Sequence, residues 1–272
     1  QRALQGAGSQ ARAKGHLASA VPGRQVAPKA GVPKEGCWCA PACADRKACC
    51  SWIPLAAGVG VVATILALIA QRARLAESVL VAGAILLSVS LTRRPGETSF
   101  YWLTLALAAV WAGGAGLSGP LHLGTDRRGR PPVLIGTAAG LLTGGLFVVG
   151  ALVVRRIDAL AEPVARVLAF ANQGTLPLVV AITLVNGVAE ELFFRGALYT
   201  ALGRTRPVLI STVLYAIATS ASGNPMLGFA AVILGTVCAL ERRATGGVLA
   251  PVLTHLVWGA IMVLTLPPLF GL

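Results

Sequence analysis

Stretches of about 20 apolar residues, separated by short clusters of charge, recur along this chain and constrain its fold more than any other feature. Crossing about 30 Å of hydrocarbon takes roughly 20 helical residues, and a backbone in lipid must satisfy its own polar groups. Eight runs reach or approach that length: 52–70, 78–91, 100–121, 132–154, 176–202, 206–222, 226–240 and 248–270. The second and seventh are short, so we expect seven or eight spans. No run alternates with period two, which argues against a β-barrel. The expected fold class is an all-α, polytopic transmembrane helix bundle. Glycine-rich patches at Gly113, Gly114 and Gly116, and at Gly136, Gly140, Gly144 and Gly145, suit helices that approach closely in lipid.

Charge follows the same pattern. The formal net charge is +13, from 23 basic and 10 acidic residues, a balance that in a soluble chain would suggest nucleic acid as a partner. Here 8 basic residues precede residue 52, and most of the remaining Arg residues sit at the ends of apolar runs. We therefore expect membrane lipid as the partner, no nucleic acid, and a multi-pass protein of the cell membrane. The basic loops on the two sides are nearly balanced, so the positive-inside rule selects neither orientation.

Residues 1–51 are expected to be a disordered, basic, Cys-containing tail, because they carry too few bulky apolar side chains to offset their ordering entropy. No Met precedes Met226, so we expect either a fragment or a start at a non-Met codon, with part of residues 1–48 outside the functional protein. Cys37, Cys39, Cys43, Cys49 and Cys50 lack the paired spacing of a zinc knuckle, and Cys238 reads as a small buried hydrophobe. Residues 52–175 would hold the N-terminal spans. Within them residues 155–170 form an amphipathic interfacial segment, with Ile157, Leu160, Val164, Val167 and Leu168 on one face and Asp158, Glu162 and Arg166 on the other. This segment reads as a connector or as a lid that guides substrate.

Residues 176–272 hold the ionisable groups that solvation does not explain. Glu190, Glu191 and Arg195 interrupt LVNGVAEELFFRGALYTAL, and His255 lies inside GGVLAPVLTHLVWGAIM. A charge at membrane depth is a functional candidate because something must offset its desolvation. Glu191 and Arg195 are four residues apart and can pair on a helix. Glu190 has Asn186 and Phe194 at its own i−4 and i+4 positions, so it is left to face a cavity and act as a general base on water. Glu190 is six residues from Gly196 and His255 seven from Val248. If both ends lie at one membrane face, carboxylate and imidazole share a depth of roughly 9–10 Å at 1.5 Å per residue.

Glu190-Glu191-x-x-x-Arg195, followed some 60 residues later by an embedded His255, resembles the CAAX prenyl proteases of the Ras-converting type and the bacteriocin-processing enzymes, the CPBP or Abi intramembrane endopeptidases. The resemblance covers about a third of the chain. It implies catalytic roles for Glu190, Glu191 and His255, with Glu190 activating water to cut a peptide bond of a membrane-associated protein or peptide, and with Arg195 and Thr219 supporting. Two positions depart from the family pattern. Thr219, four residues after Tyr215, stands where the family has His, and Gly259, four after His255, stands where it has Asn. A Thr hydroxyl donates a hydrogen bond but does not take up a proton as imidazole does, and loss of one oxyanion donor costs about 10²–10³ in rate. Asn224 offers a polar group nearby but reads as a turn residue. No cofactor is expected; a divalent metal is not favoured, since adjacent Glu side chains point apart and no HExxH spacing occurs. His16 and His122 do not read as ligands. The rival expectation is a catalytically degenerate member acting as a membrane binding or immunity protein; a proton-coupled transporter comes third, and no internal repeat supports it.

Overall fold

A computed structural model of the chain describes residue 71 and residues 74–272. The expected tail, its five clustered cysteines, His16 and the first apolar run lie outside the described residues. Those described form helices and loops, with no strand among them. The helices are α1 (Arg74–Leu91), α2 (Thr98–Leu117), α3 (Val133–Val154), α4 (Asp158–Asn172), α5 (Leu176–Glu191), a π-helical segment (Leu192–Leu198), α6 (Tyr199–Ala201), α7 (Pro207–Ser220), α8 (Pro225–Thr245) and α9 (Leu249–Leu269). Six are long and apolar enough to cross a membrane: α1, α2, α3, α5 continued through α6, α8 and α9.

The short span is not one of those we expected. The second and seventh runs form full helices of 18 and 21 residues, and the sixth is the short one, α7, at 14 residues. An apolar run ends at its first charge, but α8 continues past Leu240 through Glu241, Arg242 and Arg243. It stops at Gly246, whose positive φ of 73° closes the last turn through its N–H to the Arg242 carbonyl. Many large apolar side chains point outward, among them Leu134, Leu142 and Trp102. Such exposure would be a liability in water and is the natural surface in lipid.

Helix α4 is amphipathic, as its spacing predicts, and Pro163 lies inside it. Asn224 does more than turn the chain. Its Oδ1 accepts from the Met226 and Leu227 N–H groups, capping α8, and its Nδ2 donates to the Pro163 carbonyl at 2.7 Å.

Close helix approach depends on glycine. A Cβ at Gly136 would stand 2.5 Å from the Ala250 carbonyl oxygen, one at Gly140 2.7 Å from Val257, and one at Gly144 2.5 Å from Ile261. The four-residue spacing forms one stripe on α3, along which α9 lies parallel. Thr254 Oγ1 seals this seam: it stands 2.9 Å from the Gly136 carbonyl and 2.8 and 2.7 Å from the two carboxyl oxygens of Glu241, so that α3, α8 and α9 meet at one hydroxyl. Aromatic packing fills the other side, with Trp111 of α2 against Phe193 and Phe194 at centroid distances of 4.8 and 5.1 Å.

Gly136→Leu should therefore part α3 from α9 and lower stability by about 1–3 kcal/mol or more, the usual cost of overpacking. Gly145→Leu, whose Cβ meets nothing within 4 Å, should unfold like the parent. Thermal unfolding of both variants in detergent micelles measures the difference.

Candidate active site

The site is built where α5 loses its regular pitch. Pro177 opens α5 within its first turn, where the missing N–H costs nothing, and the helix runs to Glu191 before widening into the π segment. Such wide turns gather at functional sites, and this one carries Arg195. Arg195 Nη1 donates to Glu191 Oε1 at 2.9 Å, with both side chains fully buried. The expected pair therefore forms, on a turn wider than the α-helix assumed for it.

Glu191 Oε1 has a second partner. His255 Nδ1 lies 2.9 Å from the same oxygen. With the carboxylate as acceptor, the ring proton sits on Nδ1, and Nε2 has no hydrogen-bond partner among the described residues. Depth alone matched His255 with Glu190; the structure gives Nδ1 to Glu191 instead. The approach depends on Gly187 of α5, where a Cβ would stand 3.0 Å from the His255 ring. It also rests on a shared level of the two helices, since a Cβ at Gly196 would lie 3.6 Å from Val248.

Glu190 is held separately. Tyr215 on α7 donates its hydroxyl to Glu190 Oε2 at 2.7 Å, and Oε1 has no hydrogen-bond partner among the described residues. Glu190 is half-buried where Glu191 is closed off completely. The Tyr215 ring lies under the Arg195 guanidinium, 4.6 Å from centroid to Cζ, a cation–π contact that ties the two arrangements together. Arg195 Nη2 also donates to the Gly235 carbonyl at 3.0 Å, and its own carbonyl accepts from Arg242 Nε at 2.8 Å. Four elements thus converge on one guanidinium: the π segment, α5, α7 and α8.

Thr219 is half-buried one turn beyond Tyr215, and its hydroxyl is not among the groups bonded to Glu190, Glu191 or His255. Gly259 faces Thr183 of α5, 3.4 Å from where its Cβ would be. Asn224 is committed to α8 and α4 and does not replace the missing polar groups. In the sequence Tyr215 served only to place Thr219; its hydroxyl contact gave no signal there, because a tyrosine in an apolar run reads as packing. Glu241, bound to Thr254, has no counterpart among the expected site residues. Among the described residues no three His, Cys, Asp or Glu side chains gather as metal ligands. Within the site, His255 Nδ1 and Glu191 Oε1 are taken up by each other.

Removing one partner of a buried ion pair leaves an uncompensated charge and costs about 3–5 kcal/mol. Arg195→Met should therefore destabilise the protein by an amount of this order in chemical unfolding. The double variant Glu191→Gln, Arg195→Met should be more stable than Arg195→Met alone.

The family model for type II CAAX prenyl endopeptidase Rce1-like proteins matches residues 172–261, about a third of the chain. Comparison with curated proteins and with solved structures gave no match. The matched residues run from the end of α4 through α9 as far as Ile261 and include Glu190, Glu191, Arg195, Tyr215, Thr219 and His255, so the helices that build the site are those that match the type II CAAX prenyl endopeptidase Rce1-like family.

Proposed function

We propose that this chain is a multi-pass endopeptidase of the cell membrane, surrounded by lipid, that cuts a peptide bond of a membrane-associated protein or peptide. The observation that carries this reading is the unequal treatment of two adjacent carboxylates. Glu191 is wholly buried and its Oε1 is shared by Arg195 and His255, with Oε2 sealed off and unpartnered, whereas Glu190 is half-buried, steadied through Oε2, and has no partner at Oε1 among the described residues.

In this reading Glu190 Oε1 takes a proton from a water molecule as the water oxygen attacks the scissile carbonyl carbon. The carbonyl π electrons move to its oxygen. His255, protonated also at Nε2 and balanced by Glu191, donates a hydrogen bond to that oxyanion. The C–N bond then breaks as the proton held by Glu190 passes to the departing nitrogen. No step requires a metal or other cofactor. Arg195 and Tyr215 act through Glu191 and Glu190, and are positioning residues. With Thr219 and Gly259 in place of the family's His and Asn, oxyanion stabilisation rests on His255 alone, which predicts slow turnover by about 10²–10³ relative to a site with one further donor.

Cleavage of a membrane-tethered reporter by purified protein in vesicles tests the reading. Glu190→Gln and His255→Ala should each lower the rate at least a hundred-fold, Glu190→Gln while melting near the parent temperature, and Tyr215→Phe should lower it about ten-fold. Equal cleavage by parent and Glu190→Gln would refute it. The departures at Thr219 and Gly259 favour a second reading, a binding or immunity protein without hydrolysis. That reading predicts a partner whose binding survives Glu190→Gln, with no product from any variant.

A further inference from the structure

Glu241 of α8 is buried, and the reaction proposed above makes no use of it. Its partner Thr254 Oγ1 has three oxygen atoms within hydrogen-bond distance, the Gly136 carbonyl at 2.9 Å and the two Glu241 carboxyl oxygens at 2.8 and 2.7 Å. A threonine hydroxyl carries one hydrogen, and neither a carbonyl nor a carboxylate carries any. Were Glu241 ionised, the hydroxyl would donate toward one helix and face the oxygen of the other with no proton between them. A proton on the carboxyl removes that conflict, with Glu241 donating to Thr254 Oγ1 and Thr254 donating to Gly136.

The surroundings favour the same state. Among the described residues Glu241 forms no ion pair. Helix α3 holds no ionisable residue from Val133 to Val154. On the other neighbouring elements, Glu191 repels a negative charge at this position and Arg195 attracts one. Arg195, however, is committed to Glu191 and to the Gly235 carbonyl, and Arg242 donates to the Arg195 carbonyl and lies over the Tyr199 ring. Cys238, one turn before Glu241, is buried with Sγ 3.8 Å from the Pro251 carbonyl, and His255 gives Nδ1 to Glu191. An isolated carboxylate removed from water is costly enough that the group takes up a proton instead.

We propose that Glu241 is held as a neutral carboxylic acid donating its proton to Thr254 Oγ1, and that this run of two hydrogen bonds, from α8 through α9 to α3, sets the level of His255 against Glu191. Glu241 is then a positioning residue, working through Thr254, which directly precedes His255. Its bearing on catalysis rests on the hydrolytic reading, whereas the proton and the His255–Glu191 contact stand without it.

Infrared spectra and ¹⁵N resonances of the full-length protein, in detergent micelles at neutral pH, test both parts. The difference spectrum of parent minus Glu241→Gln should contain the C=O band of a protonated carboxylic acid; carboxylate bands in its place overturn the proposal. Glutamine is neutral and keeps an N–H donor for Thr254, so Glu241→Gln should melt like the parent. It should also leave unshifted the His255 ring-nitrogen resonances, assigned by their loss in His255→Ala. Glu241→Leu lacks the donor and should shift those resonances and melt about 2–4 °C lower, the loss of one hydrogen bond. Should Glu241→Leu not fold, Thr254→Val takes its place, with Thr254→Ser as the rescue that restores the hydroxyl. Resonances that stay unshifted in Glu241→Leu and Thr254→Val, or that shift equally in Glu241→Gln, overturn the positioning role. In the reporter assay Glu241→Leu should lower kcat about ten-fold at unchanged KM, the effect of a misplaced His255, and Glu241→Gln should change neither. If the spectra follow these expectations while the parent protein cleaves nothing, the hydrolytic reading fails and the assignment of Glu241 stands.

Discussion

A single carboxylate oxygen, Glu191 Oε1, receives both Arg195 and His255 at the centre of an otherwise apolar bundle. Bare charges at that depth would cost several kcal/mol each, and the bundle retains them only because each is matched by another. The arrangement fixes more than stability. Arg195 extends from Glu191 to the Gly235 carbonyl and over the Tyr215 ring, so α5, α7 and α8 are brought into register around it. Tyr215 then reaches Glu190, and His255 is turned so that Nε2 is the nitrogen left open. Beside a glutamate that is wholly buried, Glu190 is left half-buried.

The helical bundle and the position of its charged residues were legible in the sequence for one reason. Hydrocarbon excludes both strand edges and isolated charges, so apolar runs and their interruptions carry most of the information. Glu190, Glu191, Arg195 and His255 stood out on that ground alone. Hydropathy also misplaced the short span, because Glu241 ends an apolar run without ending α8; its carboxyl is satisfied by Thr254, a partner on another helix. The Tyr215 hydroxyl contact and the Nδ1 contact of His255 were illegible for the same cause. Each depends on how helices distant in sequence are rotated against one another, and spacing along a single helix does not encode that rotation.

Small residues supply the rotation. The stripe Gly136, Gly140 and Gly144 brings α9 against α3, and Gly187 admits the imidazole between α5 and α9. Gly235 leaves room for both Tyr215 and the Arg195 guanidinium, since a Cβ there would stand 2.9 and 3.2 Å from them. The ionic cluster and the glycines are therefore one design problem. Charges buried in lipid must meet within hydrogen-bond distance, and only helices lacking side chains at the crossings come that close.

The junction at Thr254 has a mechanical consequence for its neighbour His255. A hydroxyl with bonding partners on two other helices works as a pin through α9: sliding that helix by one residue, about 1.5 Å, would break its contacts with Gly136 and Glu241 together. His255 consequently has a fixed axial address, and the motion left to it is rotation of its own side chain. The Glu190 side chain and α4 are not pinned in this way: Asn224 ties α4 to α8 through a single hydrogen bond.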